Sequence, residues 1–225
     1  MSPRILITTL AAFAASAVPT APGIASLSWS NVQAATPTAA VIVDADPQLL
    51  RVREAIEAAE RGDFDAVHYA DLAHHPLYAW IEYVGLRRDI DSLSNAQAQS
   101  FLSRYDGQAA AEAFREIWVA ETSRREDWPS LLAAWKPAVG RNTELRCAEL
   151  QARQALGRTD EPWVSDAQAL WRSTGKTLPD NCDGVFAALA AKGGLTAELR
   201  WERIDKAAAE WLPTVMRSAA RGLPA

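Results

Sequence analysis

The side chains of this sequence that could do chemistry fall into three sets. His68, His74 and His75 lie close together with Asp71 among them, and imidazoles beside a carboxylate are metal-ligand types. His68 and His75 are seven residues apart and could share a helix face. However, His74-His75-Pro76 straddles a helix break, and the spacing matches no ligand motif. They read as solvated loop histidines, and no metal is expected. Carboxylates recur in pairs, Glu54 with Glu57 and Glu198 with Glu202, the residue type that glycoside hydrolysis places in a cleft. Here Glu57 precedes Arg61 and Glu202 precedes Lys206 by four residues, which marks solvated pairs on a helix surface. Every such carboxylate is expected on an exposed face among Arg and Lys, ionised at neutral pH, with no water-excluding cleft around it.

The third set is Cys147 and Cys182. No His lies near either one, since all three fall between 68 and 75, so a Cys-His catalytic pair is not supported. An even number of cysteines in an exported chain makes them a candidate disulfide, with two buried thiols as the alternative. Closing that loop would stabilise the fold by ~4 kcal/mol in the chain-entropy account. No Gly-rich phosphate loop, Gly-x-Ser-x-Gly elbow or Ser/His/Asp set occurs. No catalytic, cofactor-binding or metal-binding residue is therefore assigned.

Export itself is read from the first residues. Arg4 is followed by an apolar run from Ile5 to Val18 without an acidic residue, then by small residues that offer cleavage after Ala25 or Ala34. That run, broken by Pro19 and Pro22, falls short of the ~20 residues that span a bilayer. The expectation is a soluble exported protein with no transmembrane segment. The 225 residues carry a net charge of −5 and no Lys/Arg run, which argues against a nucleic-acid partner. The nine Trp could pack helix contacts or line a carbohydrate groove, and their apolar helical positions favour packing.

From Asp46 onward the pattern is helical. Asp46-Pro47 is a cap and first-turn Pro, followed by a stripe of Leu49, Val52, Ile56 and Ala59 that closes at Gly62. Asp63 opens a second short helix carrying Phe64 and Val67, and Pro76 a third with Trp80, Ile81 and Val84 inward. Further helices are expected at 95–105, 108–124, after Asp127, and at 143–156, 162–173, 179–192, 196–210 and 213–221. Gly140, Gly157, Gly175 and Gly193 recur every seventeen or eighteen residues, one short helix plus a turn. The fold class expected is all-α, an α-solenoid of about ten short antiparallel helices. Ile56, Ile81, Trp118, Leu132, Leu150, Leu170 and Phe186 are its expected core residues.

Several segments resemble the soluble lytic murein transglycosylase family. They are His75-Pro76-Leu77-Tyr78-Ala79-Trp80-Ile81-Glu82-Tyr83, then Arg124-Arg125-Glu126-Asp127-Trp128-Pro129-Ser130-Leu131-Leu132. Next come Leu170-Trp171, Thr174-Gly175-Lys176 and Pro179-Asp180-Asn181-Cys182-Asp183, with Cys147 matching an earlier family Cys. Order and spacing agree from about residue 47 to 204. The resemblance implies a periplasmic protein with residues 1–34 as signal and lead-in and 35–225 as part of a superhelical, U-type domain. The family cleaves MurNAc–GlcNAc bonds to 1,6-anhydro products in a separate lysozyme-like domain. That domain's Glu-Ser, Gly-Leu-Met-Gln and Ala-Tyr-Asn-Ala-Gly signatures are absent from these residues. The expectation is a truncated or split product, or a non-catalytic scaffold, that binds peptidoglycan or glycan strands weakly and meets a separate catalytic domain. The alternative is a tetratricopeptide-like periplasmic adaptor for protein partners.

Overall fold

The computed structural model describes residues 46–224. Among them are ten α-helices and no strand: α1 Pro47–Arg61, α2 Tyr78–Arg88, α3 Asn95–Arg104, α4 Ala109–Arg124, α5 Trp128–Ala134, α6 Thr143–Ala155, α7 Glu161–Trp171, α8 Asp183–Ala191, α9 Ala197–Ala209 and α10 Pro213–Ala220. The expected export signal, with its cleavage points after Ala25 or Ala34, lies outside the described residues. None of the described helices is long and apolar enough to cross a membrane.

Local chemistry sets most of the helix ends. Asp46, Asp127, Asn142, Asp160 and Thr196 each accept a backbone N–H of the first turn they precede. Ser94 and Gln97 form a reciprocal capping box at α3. Gly62 closes α1 in the left-handed region at φ 91°, where it and Asp63 both donate to the Ala58 carbonyl.

Packing then runs along the chain. The even helices α2, α4, α6 and α8 each contact the next in one layer, while α5 packs on both α4 and α6, α7 on both α6 and α8, and α9 on α10. Three successive cores result: one under α1 and α2, one from α2 to α6, and one from α6 to α10. Each unit buries apolar surface only against its neighbours, as a solenoid does. Trp118, Trp163 and Trp171 lie in the core, and two of these also hydrogen-bond across helices. The indoles of Trp163 and Trp171 donate to the carbonyls of Leu150 and Leu199 at 2.9 and 3.0 Å. Trp201 and Trp211 are exposed.

Some expectations are corrected. Residues 63–77 form turns and a single 3-10 turn, Ala70–Leu72, in place of the helix expected after Asp63. Val67 is 82% exposed there, while Phe64 stacks on Tyr69 at 5.4 Å to cover α1 and α2. The period-3.6 reading failed because Phe64, Tyr69 and Leu72 reach the core without sharing a helix face. The buried side of α1 is Val52, Ala55, Ala58 and Ala59, which leaves Leu49 exposed and Ile56 half-buried. Of the other expected core residues, Leu132 is half-buried and the remaining five are buried.

Candidate functional site

A polar groove crosses the layer of even helices at α4, α6 and the start of α8. Its floor is one face of α6, where Glu144, Ala148, Gln151 and Ala155 recur at helical spacing. Ser123 of α4 and Asn181, just before α8, line both of its halves, whose cavity volumes are 490 and 280 Å³. The opposite side of α4 carries Phe114, Trp118, Val119 and Thr122 into the core, which fixes which face is left to the groove.

The wall on the α8 side is held by a covalent tie. Cys147 on α6 and Cys182 in the 3-10 turn Asp180–Cys182 form a disulfide with Cα atoms 5.0 Å apart, both residues fully buried. Elements two apart in a solenoid share a layer, which places α6 and this turn within disulfide reach. Asn181 is thereby fixed at the rim, and its amide donates to the Glu144 carbonyl at 2.9 Å.

The other end is shaped by a backbone corner. Glu126 adopts φ 56°, a left-handed conformation that costs an ordinary side chain ~1–2 kcal/mol. The corner closes with Asp127 donating to the Thr122 carbonyl at 2.9 Å. Asp127 in turn caps α5 and accepts from the Asn95 amide at 2.8 Å, which sets the half-buried Trp128 at the groove edge. Beneath this corner Glu121 is only 7% exposed and accepts from Arg124 and Arg125, each at 2.6 Å. Those hydrogen bonds, that of Arg124 foremost, hold its carboxyl below the usual carboxylate range.

The groove lining is mixed: the amides and hydroxyl of Ser123, Asn142, Gln151, Gln154 and Asn181 stand among apolar residues of α4 and α6 and the charged Arg124, Glu116, Glu126 and Glu144. Each amide both donates and accepts, which suits a ligand rich in hydroxyl and acetamido groups. Gln154 Oε1 is buried and receives no hydrogen bond among the described residues, an acceptor in the groove without a donor.

The residues singled out from the sequence lie elsewhere, apart from the cysteines. His68 is exposed beside Arg51, which donates to its carbonyl at 2.7 Å and lies 4.4 Å from the Tyr69 ring centre. The His75 ring accepts from the Leu77 N–H at 3.1 Å. The acidic pairs are at the surface with partners other than those expected. Glu57 bonds Arg53, four residues back, and Glu202 lies 3.7 Å from Arg172 of α7's cap. Glu198 sits at the α9 N-terminus, where backbone N–H and then Thr196 hold its carboxyl below the usual range. Two carboxylates contradict the expectation of uniform exposure, Glu121 of α4 and Glu149 of α6. Glu149, on the other face of α6, has a side chain only 12% exposed, and burial pushes its carboxyl up despite Arg153. The sequence hid both it and the groove, because tertiary packing decides which face of a mixed helix is covered.

No protein-family model matches the chain. The soluble lytic murein transglycosylase of Escherichia coli (strain K12) is 30% identical over 150 residues, 66% of this chain and 23% of that protein. Its counterpart in Salmonella typhimurium is 32% identical over 122 residues, 54% of this chain and 18% of that protein. Among solved structures, the 70 kDa soluble lytic transglycosylase of Escherichia coli superposes with a TM-score of 0.65 at 28% identity. The superposition covers 79% of this chain and 28% of that one. The structure of that enzyme in complex with bulgecin A gives 0.66 at the same identity, over 79% and 29%. An inactive mutant of lytic transglycosylase Slt from Pseudomonas aeruginosa gives 0.62 at 24% identity, over 77% and 28%, and shows the fold alone. The chain thus spans 23% of the length of the first of these relatives.

Proposed function

Since the chain belongs to the soluble lytic murein transglycosylase family, we propose that its described residues are a non-catalytic helical module of peptidoglycan metabolism, acting in the periplasm. The module holds N-acetylated glycan strands along the amide-lined groove and leaves bond cleavage to a separate catalytic domain. The likeness to proteins named for action on murein carries this reading.

The groove chemistry supports it. Gln151 offers a donor and an acceptor to sugar hydroxyl and acetamido groups, while Asn142, whose Oδ1 caps α6, offers its amide N–H groups, and Asn181 its Oδ1 and the N–H not given to Glu144. Trp128 supplies an apolar edge for the sugar C–H face, at one end of the same groove. Cleavage would require a protonated carboxylic acid against the glycosidic oxygen and a second group to steady the oxocarbenium-like transition state. Glu149, whose carboxyl is pushed up, lies outside this groove and against Arg153.

Titration with a β-1,4-linked N-acetylglucosamine tetrasaccharide, followed by amide chemical shifts, tests the reading. Saturable shifts confined to α4, α6 and residues 180–184, weakened roughly tenfold in Trp128→Ala, are expected. Absence of saturable shifts up to 10 mM, on the order of the weakest specific sites, would refute it. A second reading, the protein adaptor, is favoured by the exposed Trp201 and Trp211, which are 55% and 89% accessible. Saturable binding of a periplasmic protein lost in Trp211→Ala, with no saccharide response, would select it.

A further inference from the structure

The groove across α4, α6 and the start of α8 carries charge that the protein itself does not match. Glu116 of α4, Glu126 at the backbone corner and Glu144 of α6 line its two halves, all three exposed. None of their carboxylates makes an ion pair or a hydrogen bond among the described residues. Asp180 and Asp183, on either side of the Asn181–Cys182 step, are exposed and equally without an ion pair there. Arg124 is the cation in this lining, and it is already committed, 2.6 Å from Glu121 and 3.3 Å from Asp91.

A second kind of unmet demand lies in the same half as Glu126. Gln154 lines it, and the buried Gln154 Oε1 receives no hydrogen bond among the described residues. A buried acceptor is ordinarily matched by a donor. What this groove lacks is therefore hydrogen-bond donors and positive charge together. The opposite face of α6 gives the contrast. It carries a second groove, lined by Trp135, Glu149, Arg153 and Asp160, in which the acids are matched. Glu149, Asp160 and the nearby Asp166 all lie between 2.7 and 3.5 Å from Arg153. One face of the helix is neutralised internally, and the other is left anionic.

Given the glycan reading of this groove, on which the inference rests, we propose that it selects β-1,4-linked strands in which some C2 nitrogens are free amines over fully N-acetylated strands. An acetamido group brings one N–H and no charge, whereas the ammonium left by loss of the acetyl brings three donors and the missing positive charge. A cleft lined by one sign of charge concentrates the opposite sign and speeds its capture. The ring hydroxyls remain for Gln151 and Asn181, and the C–H face for the Trp128 edge. A free carboxylate on the sugar would meet Glu116, Glu126 or Glu144 and be disfavoured. A basic peptide supplies the charge but not the ring hydroxyls that the amides match.

The test compares the β-1,4-linked glucosamine tetrasaccharide with its N-acetylated form, by calorimetry and amide chemical shifts on the full chain. Titrations run at about pH 5.5, where amines are charged and carboxylates ionised. At low salt the amine form should bind at least roughly tenfold more tightly, with shifts in the same residues of α4, α6 and 180–184. The gap should narrow as salt is raised. With Glu116→Gln, Glu126→Gln and Glu144→Gln combined, the two saccharides should bind within roughly twofold of each other. Glu60→Gln, Glu161→Gln and Asp205→Asn combined remove the same formal charge from exposed positions outside the groove, and should keep the preference. Thermal melts check that both variants fold, and the salt series on the wild type decides alone if one does not. Equal affinity of the wild type for both saccharides, equal loss of preference in both variants, or equally tight binding of tetralysine would overturn this inference and leave the glycan reading standing. No saturable shifts with either saccharide would remove both.

Discussion

The Asn181 amide donates to the Glu144 carbonyl at 2.9 Å, one residue away from the Cys182 sulfur that ties the same segment to α6. The hydrogen bond and the disulfide act on one wall. The first fixes the rim of the groove, and the second holds the turn before α8 in the core.

Removing that tie should therefore be felt in both stability and binding. Cys147→Ser with Cys182→Ser is expected to lower the unfolding free energy by ~2–4 kcal/mol in urea titrations. Thiol titration of the denatured, oxidised chain should find neither cysteine reactive until reductant is added. The double variant should also bind saccharide more weakly, because Asn181 is no longer positioned.

Two glycines with the same apparent role as helix stops should behave differently. Gly157 has φ 71° and open space around it, so Gly157→Ala carries only the left-handed strain of ~1–2 kcal/mol. At Gly175 a Cβ would stand 2.5 Å from the Lys206 carbonyl carbon of α9. Gly175→Ala must push two helices apart, and it should cost ~2–3 kcal/mol or more, read as a melting shift larger than that of Gly157→Ala.

This pair shows what the residues alone revealed. The caps at Asp46, Asp127 and Thr196, the count of about ten helices and the closeness of Cys147 to Cys182 all rest on local chemistry or on the repeat, and were legible. The regular glycine spacing was legible too, but it hid two different causes, backbone conformation at Gly157 and close approach at Gly175. Residues 63–77 were misread because apolar residues there follow the shape of the neighbouring core and no periodicity. The two grooves were not legible, since α6 is polar on both faces and only its packing neighbours decide that Glu149 is covered and Glu144 is not.

Acid should weaken the α4–α5 corner. Glu121 is held below the usual carboxylate range by Arg124 and Arg125. Its contribution is complete above the unfolded-chain value of about 4.3 and is lost as pH falls through the lower folded value. Glu121→Gln should destabilise by ~1–3 kcal/mol at pH 7, because Arg125 loses its partner. The difference from wild type should shrink in melts taken below about pH 4.

Arg203 joins α9 to the α7 end. It is 5% exposed, lies over the Trp171 ring at 4.7 Å and donates to the carbonyls of Trp171 and Lys176 at 2.6 and 3.0 Å. Arg203→Lys keeps the charge but loses the planar fork and the stacking, and should cost ~2–3 kcal/mol by denaturant titration.

The central claim, that this module holds peptidoglycan without cutting it, is tested most directly by incubating the purified chain with sacculi. Co-sedimentation and release of 1,6-anhydromuropeptides are measured in the same tube. The account predicts saturable binding, competed by the N-acetylglucosamine tetrasaccharide and reduced in Trp128→Ala, with no anhydro product above a protein-free control. Anhydro product released by the chain and abolished by a single Glu→Gln change, or no binding to sacculi at all, would contradict it.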